Sequence, residues 1–301
     1  MKAKKNVQQK KINAVGYTMI TPWLIGFVFL FLIPMAVSLW YSFTNYNMLK
    51  APTFIGFNNY VRMVHDKEFW NSLFVTLKYV FLLVPLRLIF ALGIAMLLAQ
   101  KYKGNGIFRT IYYIPSVIGG SVAVAIIWKQ LFGNPGVVMT AMESMGFHPE
   151  TSLLGNPDTA MYTLVLLGVW QFGSAMLTFL AALKQVPYSL YEAAEIDGIN
   201  SWKKFTRITL PMISPTLFFN LILQLIGGFK VFNEGYIITQ GGPDKSTMFY
   251  VLNLYNRSFK YFDMGYSSAM AWVLVLILAA LSAIVFATQN KWVYYESKEG
   301  N

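Results

Sequence analysis

The chain has 301 residues and a net charge of +11, and it is 56% hydrophobic but only 12% charged. Soluble domains average about 25% charged residues, so the apolar excess points to lipid as the solvent and to one membrane domain with no second folded one. Cysteine is absent, which excludes disulfides, thiol nucleophiles and thiolate metal sites. His65 and His148 are lone loop residues, fewer than the three or four placed ligands a metal needs.

A helix needs about 20 mostly apolar residues to cross the hydrocarbon core. Six stretches qualify, at 17–39, 71–98, 111–131, 159–183, 212–238 and 266–288. The first follows "MKAKKNVQQKK", which has the basic character of a signal-peptide start, and Ala36-Val37-Ser38 offers a small-x-small site. Its apolar run is longer than a signal core, so it reads as a retained span. Between spans, "GNPG" at 133–136, "GNP" at 155–157 and "GGP" at 241–243 read as turns.

Orientation follows from the basic residues. With the N-terminus inside, the inner segments hold fourteen Lys/Arg and the outer loops six, as the positive-inside rule demands. Residues 1–16 and 289–301 are then cytoplasmic flanks of a six-helix domain at 17–288. The +11 charge is read as topology, not as nucleic-acid binding, because no basic stripe interleaved with aromatics occurs outside the apolar runs.

The inner loop at 187–211 is the most polar stretch in the middle of the chain. Pro187 suits a helix start. Good helix formers follow as far as Gly198, the residue type at which a helix ends in a left-handed turn. Ser201 is placed to cap a second short helix, which Pro211 is expected to end. The result is a helix, a glycine corner and a helix. Ala193 and Ala194 leave room for another surface to approach, and Glu192 and Glu195 lie near one face. A hairpin lying on the lipid surface would turn those carboxylates toward an anionic leaflet, so a protein partner bearing arginine fits better.

Glu192-Ala193-Ala194, Gly198 and then Ile208-Thr209-Leu210-Pro211 carry the spacing E-A-A, three residues, G, nine residues, I-x-L-P. In this the chain resembles the permease subunits of binding-protein-dependent ABC importers. "GIFRTIYYIPSVI" (106–118), "YIITQGGPDKSTMFYVLNLYNRSF" (236–259) and "MGYSSAMA" (264–271) look like the carbohydrate branch, of the maltose and glycerol-phosphate permease type without the large extracellular insertion.

The resemblance implies an all-α membrane protein of the type I importer permease fold. Its six transmembrane helices would carry a coupling-helix loop between helices 4 and 5. The coupling residues would be Glu192, Ala193, Ala194, Asp197, Gly198 and Pro211. It also implies a prokaryotic inner membrane, a second homologous permease subunit, two ATPase subunits, an extracytoplasmic solute-binding protein and a sugar substrate. No G-x-x-x-x-G-K-[ST] occurs in the chain, so ATP and magnesium are expected in the separate ATPase and no cofactor in this chain.

A sugar path needs polar groups and aromatic faces turned away from lipid. Helical spacing aligns Asn220, Gln224, Gly227, Gly228 and Val231 on span five, and Leu167, Trp170, Gln171, Ser174 and Thr178 on span four. Ser116 and Gly120 follow Pro115 on span three. Helix packing would use the same residue types. Since the family places its sugar site on these spans, the resemblance favours Gln171, Gln224 and Gly228 for substrate. Lys230 and Glu234 are four apart and are expected to pair, with contact between Lys230 and an acidic sugar as the alternative. Arg87 and Lys129 are expected to be satisfied structurally, and Lys78 to snorkel. Glycerol-phosphate or an acidic oligosaccharide remains an alternative cargo. A stand-alone ion-coupled transporter is disfavoured because Glu234 is the one carboxylate inside the spans. No nucleophile–base pair or metal-ligand set supports an enzyme.

Overall fold

The computed structural model describes residues 16–100 and 103–294. The basic N-terminal flank, residue 16 apart, and the tail from 295 lie outside them. The described residues are all-α, with one isolated antiparallel bridge, Thr44 to Phe54. Among them five helices are long and apolar enough to cross a membrane, and a bent pair supplies a sixth. The chain divides into two compact units: residues up to 65 together with 256–274, and residues 66–255 together with those from 275 on.

The first unit contains α1 (Gly16–Ser42) and α2 (Asn58–His65). It also holds the start of the last helix, α12 (Met264–Trp292). α1 is exposed along nearly its whole apolar length, as a helix that meets lipid or another chain must be. At its end Asn59 Nδ2 donates to the carbonyls of Ser42 and Thr44, each at 2.9 Å. Arg62 pairs with Asp263 at 2.8 Å and lies 4.4 Å from the Tyr266 ring centroid. Gly265 donates to the Tyr46 carbonyl, and a Cβ there would come within 2.0 Å of the Thr44 oxygen, so only glycine fits.

The second unit is built on α3 (Lys67–Ala99). Asp66 caps it by accepting from the Glu68 N–H. Span three, expected as one helix over 111–131, is two: α4 (Asn105–Ile118) and α5 (Val122–Phe132), the latter capped by Ser121. A short helix, α6 (Val137–Ser144), follows in what the sequence suggests is loop. Span four is also broken, into α7 (Pro157–Trp170) and α8 (Gly173–Gln185), bent by 43°.

The inner loop forms α9 (Tyr188–Ile196). The next helix, α10, starts at Ser201–Lys204, passes through a π-helical turn at Phe205–Thr209 and continues as Leu210–Phe229. Pro211 therefore lies inside a continuous helix and does not end one. The wider π turn just before it spares the missing proline N–H and relieves the ring's clash with the preceding turn. After Phe229 the chain turns and re-forms a π-helical segment at Glu234–Thr239, then α11 (Tyr250–Tyr255).

α3 packs against α7, α8, α10 and α11, and α4 packs against α8. Polar side chains tie α11 to α3 across this interior. The Tyr250 N–H donates to Thr76 Oγ1 at 2.8 Å, and Asn253 Nδ2 to Ser72 Oγ at 3.1 Å. That docking seats Phe249 on Tyr79, with ring centroids 4.9 Å apart. At the other end, the Tyr294 N–H donates to Ser214 Oγ, and Phe218 packs edge-on to Phe286 of α12.

Candidate functional site

Two places in the second unit gather the residues singled out above. The first is the hairpin of α9 and the start of α10. Gly198 sits at φ +66°, the Gly198 N–H donates to the Glu195 carbonyl, and the Ile199 N–H donates to that of Ala194. This pair of bonds is the Schellman ending, which needs a left-handed residue at its corner. Asn200, not Ser201, caps the next helix: its Oδ1 accepts from the Lys203 N–H at 2.9 Å, with Ser201 the first helical residue. The two arms are joined by Tyr191 Oη to Thr209 Oγ1 at 2.8 Å and by the Lys204–Glu195 pair at 2.8 Å.

Within the hairpin Ala194 is buried, whereas Glu192, Ala193 and Asp197 are exposed. The small side chain of Ala194 thus serves the hairpin's own closure. Glu195 is partly neutralised by Lys204. Ile196 is 87% exposed and Trp202 71%, so the projecting corner shows apolar side chains.

The second place is a cavity of about 260 Å³ among α3, α7, α10 and the segment after it. Gln171, Gly227, Gly228 and Val231 line it, together with Arg87, Lys230 and Glu234. Sequence reading missed Tyr79, Leu83, Gly168, Phe232 and Asn233, which complete the wall. The other path residues lie elsewhere. Ser116 Oγ donates to the Gln171 carbonyl at 3.0 Å and accepts from the Ser174 N–H at 3.1 Å. The Gly120 carbonyl accepts from Asn233 Nδ2. Trp170 faces Trp128 at 6.3 Å between centroids. Gln224 lies outside the lining. Thr178 and Asn220 bond each other at 2.8 Å, across α8 and α10.

The bend in span four sits at the cavity wall. Breaking a helix frees carbonyls that lipid cannot satisfy. Here Arg87 donates from Nε at 3.1 Å, and also from an Nη, to the Gln171 carbonyl that Ser116 shares. A Cβ on Gly173 would come within 2.5 Å of the Tyr112 oxygen, and one on Gly119 within 2.4 Å of Gln171 Cγ. Glycine at both positions therefore lets α4 close on the bend.

The expected Lys230–Glu234 pair does not form. α10 ends at Phe229, so residues 230–233 follow a turn and the helical four-residue spacing is lost. Glu234 instead lines the cavity that Arg87 also lines. The Lys230 ammonium has no hydrogen-bond or ion-pair partner among the described residues. Lys78 lies 5.8 Å from the Tyr162 ring centroid. No group of three His, Asp or Glu gathers as a metal site among the described residues.

Several apolar helices, one span bent at the wall of a polar cavity and tied to the next by a polar hairpin, define a multi-pass membrane permease. The chain belongs to the family of inner membrane components of binding-protein-dependent transport systems, which residues 88–291 match. It is 48% identical over 299 residues to the probable ABC transporter permease protein YesP of Bacillus subtilis (strain 168), covering 98% of this chain and 97% of that one. It is 32% identical to the probable starch degradation products transport system permease AmyD of Thermoanaerobacterium thermosulfurigenes, covering 93% of this chain and 96% of the relative. To the trehalose/maltose permease MalF of Thermococcus litoralis it is 33% identical, covering 90% and 92%. Its fold matches a chain of a bacterial alginate ABC transporter, solved with an alginate-bound periplasmic protein, with a TM-score of 0.81 at 20% identity over 94% of this chain and 96% of that one.

Proposed function

We propose that this chain forms half of the path through which an ATP-driven importer moves a sugar or oligosaccharide, handed over by an extracytoplasmic binding protein. The observation that carries the reading is the Gly198 hairpin, which follows α8, runs on into α10 and leaves Ile196 and Trp202 exposed. α10 also runs to the cavity, so one helix joins the projecting corner to the polar space. A separate ATPase pair docks on the hairpin and binds ATP and magnesium there. A second, homologous permease subunit completes the path, and both termini lie in the cytoplasm. The sugar class is supported by relatives named for starch degradation products and trehalose/maltose. The cavity's polar wall of Tyr79, Gln171 and Asn233 suits a polyhydroxylated solute.

The test is reconstitution in proteoliposomes with the partner permease, ATPase and binding protein. ATP-dependent uptake of a saccharide is expected, and ATPase activity stimulated by the loaded binding protein should vanish when Ile196 and Trp202 are both replaced by aspartate. Uptake by this chain alone without ATP would refute the reading.

A further inference from the structure

The charges of the cavity do not cancel. Arg87 and Lys230 are its cations and Glu234 its one carboxylate. Arg87 is already committed, since its Nε and one Nη hold the Gln171 carbonyl. The ammonium of Lys230, at the end of α10, has no hydrogen-bond or ion-pair partner among the described residues. Of the cavity's side chains, Gln171 also keeps a buried amide nitrogen without a hydrogen-bond partner. The wall is therefore rich in donors and positive by one unmatched ammonium.

We infer that the sugar admitted to this cavity carries a carboxylate, as a uronate does, and that Lys230 is the side chain that reads it. This rests on the sugar-permease reading above and narrows it. A lone ammonium suits a monoanion. The two-pronged fork of an arginine, which adds bidentate recognition of a phosphate, is not free here, since that of Arg87 is already engaged. At about 260 Å³ the cavity lies just below the usual range for ligand pockets, roughly 300–1,000 Å³. A cation at a helix C-terminus is also favoured by the helix dipole. That role alone would affect stability and leave the preference between acidic and neutral sugars unchanged.

The permease–ATPase complex in nanodiscs, without the binding protein, is titrated with digalacturonate and with neutral galactobiose. Binding is read by saturation-transfer NMR. Digalacturonate is expected to bind about tenfold more tightly, and the preference should shrink as salt rises. Lys230→Gln should bring the ratio close to one at an unchanged unfolding midpoint, and Lys230→Arg should retain most of it. Equal binding of both sugars by the wild type, binding of neither, or a preference that survives in Lys230→Gln overturns the assignment. If a saccharide is still taken up with ATP in the full assembly, the permease reading stands without it. If none is, that reading falls too.

Discussion

Replacing Gly198 isolates a backbone cost from a steric one. A Cβ built there meets nothing within 4 Å, yet φ is +66°. A substitution therefore pays only for the left-handed conformation, about 1–2 kcal/mol for an ordinary residue and less for asparagine. Against it stand the Tyr191–Thr209 bond, with a net value of about 1 kcal/mol, and the Lys204–Glu195 pair. The Glu195 side chain is 63% exposed, so solvent screening limits that pair to about 0.5 kcal/mol. The penalty is thus as large as both local ties together. Gly198→Val is expected to reduce stimulated ATP hydrolysis about five- to thirtyfold, the factor that 1–2 kcal/mol represents. Gly198→Ala should fall between, and Gly198→Asn should stay near wild type. The assay is ATPase stimulation by the sugar-loaded binding protein in nanodiscs, with co-purification reporting assembly. If valine and asparagine behave alike, the corner does not act through its backbone and the reasoning fails.

Arg87→Leu should lower the thermal unfolding midpoint of the purified permease in detergent, since losing the donors at the Gln171 carbonyl costs about 1–3 kcal/mol; an unchanged midpoint would mean that water replaces the arginine. Gly227 opens onto the cavity and its Cβ would touch nothing within 4 Å, so Gly227→Leu is expected to block sugar uptake while leaving that midpoint in place. Gly228→Ala, whose Cβ would meet Val80 Cγ2 at 3.0 Å, should instead lower it by crowding α10 against α3. A double-mutant cycle with Thr178→Val and Asn220→Leu should return a coupling of about 0.6 kcal/mol in stability, typical of hydrogen bonds between membrane helices, with uptake retained.

The spans and the hairpin were legible because length, apolarity and glycine punctuation are local properties. The breaks were not. Hydropathy sees no difference between a straight helix and one interrupted at Gly119–Ser121 or at Gln171, because the flanking residues are equally apolar. Pro211 looks like a stop on paper, and only the π turn before it lets the helix continue. The error over Lys230 and Glu234 came from carrying helical spacing past Phe229, where the helix ends. Tyr79, Gly168 and Asn233 reach the cavity from three distant parts of the chain. Gly168 alone carried a signal: a Cβ there would come within 2.5 Å of Leu83 Cδ1, so its smallness reports a neighbour that no pattern within its own helix reveals.

The carbonyl of Gln171 is shared by donors from two other helices, an arginine of α3 and a serine of α4. Tilting α8 against α7 cannot trade these donors away gradually, because an unsatisfied carbonyl in a water-poor interior is costly at every intermediate angle. The elbow should therefore behave as a catch with discrete positions and not as a soft spring. An impulse arriving through the hairpin would then reach the cavity as a step.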